Sequence, residues 1–195
     1  MLAPAALAAQ RTLLVFGDSL SAGYNLAPGE GWVDVMAKRV KGDKLNWQVV
    51  NASISGETTD GGVRRLPEDL KRHKPDMVVI ELGCNDALRG QPLAKIRSNL
   101  EQLIRLVRQA RAEPVLVGLM IPPNYGIEYA AGFQQLYADV ARKEKVAFVP
   151  FLLAGIAENP ELFQADQLHP VAKAEPAVAD NVWAVIGPLL KRKQT

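Results

Sequence analysis

Short apolar runs alternate along this chain with stretches in which apolar residues recur every third or fourth position. Residues 12–16 form an apolar, partly β-branched run cut off by Gly17, the mark of a short buried strand. In residues 31–40 the apolar positions are Trp32, Val33, Val35, Met36 and Val40, a helical spacing. Residues 47–50 predict a second strand. Thr58 or Thr59 can cap a helix running to about His73, which Pro67 is expected to kink or divide. The clearest strand is 77–82, MVVIEL, ended by Gly83. Pro92 opens a long helix whose inner stripe is Ile96, Leu100, Leu103, Ile104 and Val107. Residues 115–120 predict a fourth strand, 129–143 a helix, 146–149 a fifth strand and 178–190 a closing helix. No linker or repeat interrupts this order, so 10–195 reads as one domain.

Apolar strands separated by amphipathic helices argue for a parallel sheet covered on both faces. The expected class is therefore α/β: three layers, a five-stranded parallel sheet of flavodoxin-like order, and helices on both faces. In such a sheet the functional groups gather where the carboxyl ends of the strands meet the loops. The functional question becomes which polar residues follow each strand.

Composition narrows the answer. With 195 residues, 48% hydrophobic and 23% charged, the chain can bury a sizeable core. Net charge is +2 with basic and acidic residues intermixed, which gives no concentrated stripe for nucleic acid. The basic trio Lys191, Arg192 and Lys193 reads as a solvated helix end. A single cysteine, Cys84, excludes an internal disulfide, and two histidines with it make no zinc cluster. No run after the start approaches a membrane span. Residues 1–9 are small and apolar and contain Ala6-Leu7-Ala8, an A-x-A pattern. They read as a signal-peptide remnant or as a loose terminus, with a periplasmic or secreted location on the first reading and a cytoplasmic one on the second.

Four segments follow the strands. Gly17-Asp18-Ser19 follows the first, and a serine on a turn at a helix start has backbone N–H groups aimed at it, which suits a nucleophile. Asn51 to Thr59 follows the second, where Gly56 lets its N–H approach a reacting oxygen without a Cβ in the way. Gly83-Cys84-Asn85-Asp86 follows the third, and an Asn amide is a fixed neutral donor. Asp166-Gln167-Leu168-His169-Pro170 follows the fifth. On one helical turn the spacing of Asp166 and His169 sets carboxylate beside imidazole, so Asp166 orients His169 and His169 serves Ser19 as general base. Taken alone each segment has a plainer use: a cap or turn at Asp18 and Ser19, a turn at Gly56, an Asx turn at Asn85. Asp18 and Asp86 read as braces for their loops. His73, in a charged stretch, reads as a solvated helix end.

All four together, in this order, resemble the GDSL or SGNH hydrolase family over residues 13–170. Ser19, Gly56, Asn85 and His169 occupy the four positions for which that family is named. GDSLSAGY, NASISGET, the ELGxND segment and the loop Pro123-Asn124-Tyr125-Gly126 are similar to its bacterial periplasmic multifunctional esterases, described as thioesterase, lysophospholipase and arylesterase. The resemblance implies the SGNH fold, the catalytic residues Ser19, Asp166 and His169, and an oxyanion hole made by the Ser19 and Gly56 N–H groups and the Asn85 amide. It implies small acyl ester or thioester substrates, an acyl-enzyme on Ser19, and chemistry that calls for no metal or organic cofactor. Leu88, Ile121, Pro122, Pro123 and Ile127 are the expected apolar wall for an acyl chain. Cys84 stands where the subgroup usually has glycine, and Val171 where Asn often follows His-Pro; the first adds volume beside the oxyanion position. A monomer is the favoured assembly. Two other readings compete: a carbohydrate deacetylase with the same machinery and a more polar, aromatic rim, and a non-enzymatic flavodoxin-like binding module, which leaves Asp166 and His169 without a use.

Overall fold

The computed structural model describes residues 9–193. The start at 1–8, where most of the signal-remnant expectation falls, lies outside the described residues. Five strands form one sheet: β1 (Arg11–Gly17), β2 (Trp47–Asn51), β3 (Met77–Glu81), β4 (Glu113–Val117) and β5 (Ala147–Val149). Their order is β2-β1-β3-β4-β5 and every pairing is parallel. This is the expected flavodoxin-like order. β3 is buried at all of its positions, which is why MVVIE lacks the alternation of a half-exposed strand.

The helices cover both faces. On one face α2 (Trp32–Gly42) packs on the closing helix α7 (Glu175–Arg192). The other layer is α3 (Thr59–His73), α5 (Leu93–Gln109) and α6 (Ile127–Glu144), with α5 touching both neighbours. The predicted stripe of α5 (Ile96, Leu100, Leu103, Ile104, Val107) is buried throughout. Two short helices, α1 (Ser19–Ala22) and α4 (Cys84–Leu88), start directly beyond β1 and β3. No helix among the described residues is long and apolar enough to cross a membrane.

Two element expectations need correction. Pro67 neither ends nor divides α3. It lies on the exposed side of the helix, where a carbonyl deprived of its N–H partner can turn to water. The fourth strand starts at Glu113 and stops at Val117, three residues earlier than the apolar run suggests. The chain turns at Gly118, whose N–H donates to Val149 O at 2.8 Å and whose carbonyl accepts Leu152 N–H at 2.9 Å. A Cβ at Gly118 would stand 2.2 Å from Pro150 O, so the two chains meet there only because the residue is glycine. Beyond it Met120 and Ile121 leave the sheet for the loops above.

Candidate active site

Ser19 is the first residue of α1, at the carboxyl end of β1. Asp18 caps that helix, its Oδ1 accepting the Leu20 N–H at 3.0 Å. The Ser19 N–H is not engaged by this cap and belongs to the unpaired first turn. Far along the chain, His169 brings Nε2 to 2.7 Å from Ser19 Oγ. Its Nδ1 stands 2.7 Å from Asp166 Oδ2. The structure therefore joins Ser19, His169 and Asp166 in one line.

Asp166 and His169 are not on a helical turn, as their spacing suggested. Asp166 Oδ1 accepts the N–H groups of Leu168 at 2.9 Å and His169 at 3.1 Å, a turn built on the carboxylate with Gln167 at φ 56°. The same carboxyl thus shapes the backbone with one oxygen and holds the imidazole with the other. Partial burial works against its ionised form, but the Leu168 and His169 hydrogen bonds outweigh that and hold Asp166 below the ordinary carboxyl value.

Asn85 enters from α4, its Nδ2 donating to Asp18 Oδ2 at 3.1 Å. That bond uses one amide hydrogen and leaves the other for a reacting oxygen. Gly56 has φ 81°, the left-handed region that favours glycine, yet a Cβ there would meet nothing within 4 Å. The backbone angle by itself favours glycine here, and no protein atom crowds the position. Gly56 is exposed and does not line the cavity described next.

A cavity of about 860 Å³ opens beside Ser19 and His169. Leu88, Ile121, Pro122 and Pro123 line it, as does Cys84. Ile127 does not. As the first residue of α6 it is 78% exposed, so it is removed from the wall. The opposite wall was missed: Phe151, Leu153, Phe163 and Leu168, from the loops after β5. Position after a strand's carboxyl end was the available signal, and Phe151-Leu152-Leu153 carries it. Among the described residues no group of His, Cys, Asp and Glu could hold a metal ion.

Beneath the nucleophile lie two buried carboxyls. Burial raises Asp18 from its ordinary 3.8 to about 6, against the Leu20 N–H, the nearby His169 and the Asn85 amide, which favour its ionised form. Glu81, at the end of β3, is fully buried; burial first and the Asp18 charge second push it well above the ordinary value. Its Oε2 accepts Ser21 Oγ–H at 2.6 Å and the Asp18 N–H at 3.3 Å. In the sequence Glu81 reads only as part of a strand, because the burial of its carboxyl is set by the assembled sheet. Asp86, expected to brace its own loop, instead holds the start of α3, accepting Thr59 N–H at 2.8 Å and Oγ1–H at 2.6 Å.

Comparison with known proteins finds the following relatives. The model of the GDSL-like lipase/acylhydrolase family matches residues 15–175. The chain is 45% identical to Esterase TesA of Pseudomonas aeruginosa over 94% of its own length and 91% of that protein's. It is 41% identical to an arylesterase of Vibrio mimicus, covering 91% and 89% of the two chains. It is 40% identical to the thioesterase 1/protease 1/lysophospholipase L1 of Escherichia coli, covering 94% and 86%. A crystal structure of TesA superposes with a TM-score of 0.89 over 92% of this chain and 99% of that one.

Proposed function

The chain belongs to the GDSL-like lipase/acylhydrolase family, and from that premise we propose that it cleaves carboxylic ester and thioester bonds through an acyl-enzyme on Ser19. The observation that carries this reading is the line Ser19 Oγ, His169, Asp166, with its two 2.7 Å contacts, at the edge of an apolar cavity. Ser19 Oγ attacks the acyl carbon as His169 Nε2 takes its proton, and Asp166 holds Nδ1 and stabilises the imidazolium. The Nε2–H then goes to the leaving alcohol or thiol. Water attacks the acyl-enzyme by the reverse proton path. The Ser19 and Gly56 N–H groups and the Asn85 amide receive the oxyanion. Aryl esters, acyl thioesters and lysophospholipids are the substrate classes, in keeping with the names of the relatives. The apolar wall favours an acyl chain over a sugar, which sets the deacetylase reading second. A periplasmic or secreted location goes with this function, supported by Ala6-Leu7-Ala8; activity retained wholly inside spheroplasts would remove it.

A fluorophosphonate tests the nucleophile. It is expected to label Ser19 alone, as read by intact mass and peptide mapping, and labelling that survives Ser19→Ala would sink the assignment. His169→Ala is expected to abolish nearly all turnover, and Asp166→Ala to leave more, because Asp166 acts through the imidazole and not on the substrate.

A further inference from the structure

The loop that carries His169 has little structure of its own. Residues 163–170 contain no helix and one bridge pair, Phe163 with Pro170. It nevertheless holds Nε2 at 2.7 Å from a serine 150 positions away in sequence. One amide, that of Gln164, ties it to the segment after α1. Its Nε2 donates to Pro170 O at 3.0 Å, inside the loop, and to Tyr24 O at 3.0 Å, outside it. Its Oε1 accepts Asn25 Nδ2 at 3.1 Å. Both amide hydrogens and the oxygen are used, two of the three across the gap between the loops.

The backbone completes a path. Tyr24 N–H donates to Ser19 O at 3.2 Å, and Gln164 N–H donates to His169 O at 2.8 Å. Ser19 and His169 are therefore linked through Tyr24 and Gln164 without passing through any reacting atom. The Tyr24 ring adds a second constraint. Its centroid lies 4.5 Å from that of the His169 imidazole, tilted by 39°. Rotation of the imidazole away from Ser19 has to move against that ring.

We propose that Gln164 and Tyr24 are positioning residues for the hydrolysis. Gln164 sets the separation of the histidine loop from the nucleophile turn, and the Tyr24 ring keeps the imidazole facing Ser19. The proposal rests on the reading of Ser19 and His169 given above. Its physical basis is the steep cost of misplacement: an error of about 1 Å in a catalytic group can cost about 10²-fold in rate. A misplaced His169 also leaves a particular signature. An alkoxide leaving group needs the Nε2–H, whereas a nitrophenoxide departs without protonation.

Gln164→Leu keeps bulk and removes all three side-chain hydrogen bonds. The test measures kcat and KM of this variant on an alkyl ester and a nitrophenyl ester of the same acyl group, with active sites counted by phosphonate titration. For the alkyl ester kcat/KM is expected to fall about 10- to 100-fold, with KM little changed, and for the nitrophenyl ester clearly less. A loss of folded protein lowers both equally, so equal losses, or none, overturn the role of Gln164. If Gln164→Leu does not fold, Gln164→Glu serves, keeping the Asn25 contact and surrendering both donors. Tyr24→Phe keeps the ring and is expected to behave as wild type, while Tyr24→Leu behaves like Gln164→Leu; wild-type kinetics in Tyr24→Leu overturn the role of the ring. Ser19→Ala separates the two levels. Activity in that variant defeats the nucleophile reading, whereas an inactive Ser19→Ala beside unaltered Gln164→Leu and Tyr24→Leu defeats the positioning proposal alone.

Discussion

The Asn85 amide donates to the Asp18 carboxyl at 3.1 Å and lines the cavity beside Ser19, and in the proposed mechanism its second hydrogen receives the oxyanion. The first contact orients the second. A residue that merely shaped a turn would show itself in stability; a donor aimed at the tetrahedral oxygen shows itself in kcat. Asn85→Ala is accordingly expected to lower kcat by about 10²- to 10³-fold, with KM and the melting temperature near wild type. Asn85→Asp is expected to be at least as inactive, because it adds a carboxyl beside buried Asp18 where negative charge has to develop. Asp18→Asn provides the converse test: it can still accept the Leu20 N–H, but it turns an N–H toward the Asn85 N–H. Its kcat is expected to fall less than that of Asn85→Ala, since the amide remains and only its orientation loosens. Steady-state kinetics on a short aryl ester, with a melting curve for each variant, decide these outcomes. A variant that melts early yet keeps normal kcat would return Asn85 to the turn.

The cavity wall is a property of elements, since it is assembled from the ends of α4, the loop after β4 and the loops after β5. Leu88 and Leu153 come from different loops and both line it, while Ile127 points to solvent. Leu88→Ala and Leu153→Ala are therefore expected to lower kcat/KM for octanoyl esters more than for acetyl esters. The drop is about fourfold for each acyl methylene that the truncated wall leaves in water, at about 0.8 kcal/mol each. Ile127→Ala is expected to leave the ratio unchanged; a chain-length series of aryl esters reads all three, and a changed ratio in Ile127→Ala would restore it to the wall. The five strands were legible because a parallel sheet buried on both faces writes itself as unbroken apolar runs, as in MVVIE. The line from Ser19 to Asp166 was legible because the Asp166–His169 spacing pairs carboxylate with imidazole and the four segments occur together in order. What escaped depends on the meeting of distant segments: the end of β4 is decided by Gly118 against Pro150, and the second wall by loops after β5 whose Phe151, Leu153 and Phe163 belong to no motif. Glu81 escaped because burial of its carboxyl is a fact of the assembled sheet, not of its neighbours in sequence.

Across the whole molecule, three buried acids share one sign. Burial raises Glu175 from its ordinary 4.5 to about 7, against the Trp32 N–H, which favours its ionised form. That bond, 2.7 Å from Trp32 N to Glu175 Oε2, caps α2 from the first turn of α7 and ties the two helices of one layer. Asp18 stands at about 6, and Glu81 is raised well above its ordinary value. An acid whose value is higher folded than unfolded binds more protons in the folded state, so stability rises as pH falls. For Glu175 that gain begins as pH drops through about 7 and is complete near 4.5. Asp60, Asp139 and Asp166 are lowered and act oppositely, but they lose their contribution only as pH falls below their ordinary 3.8, outside this window. The melting temperature is thus expected to fall as pH rises from about 4.5 to about 7. Glu175→Gln isolates one of the three acids: its amide oxygen still accepts the Trp32 N–H, without a charge to bury. This variant is expected to melt higher than wild type above pH 7, to converge with it toward acid, and to keep wild-type kcat, because the Glu175 carboxyl bonds Trp32 and not Ser19, Asp166 or His169. Thermal melts across that range test the sign directly. A wild-type melting temperature that climbs with pH, or a Glu175→Gln curve parallel to wild type, would show that the buried acids are charged at no cost to the fold.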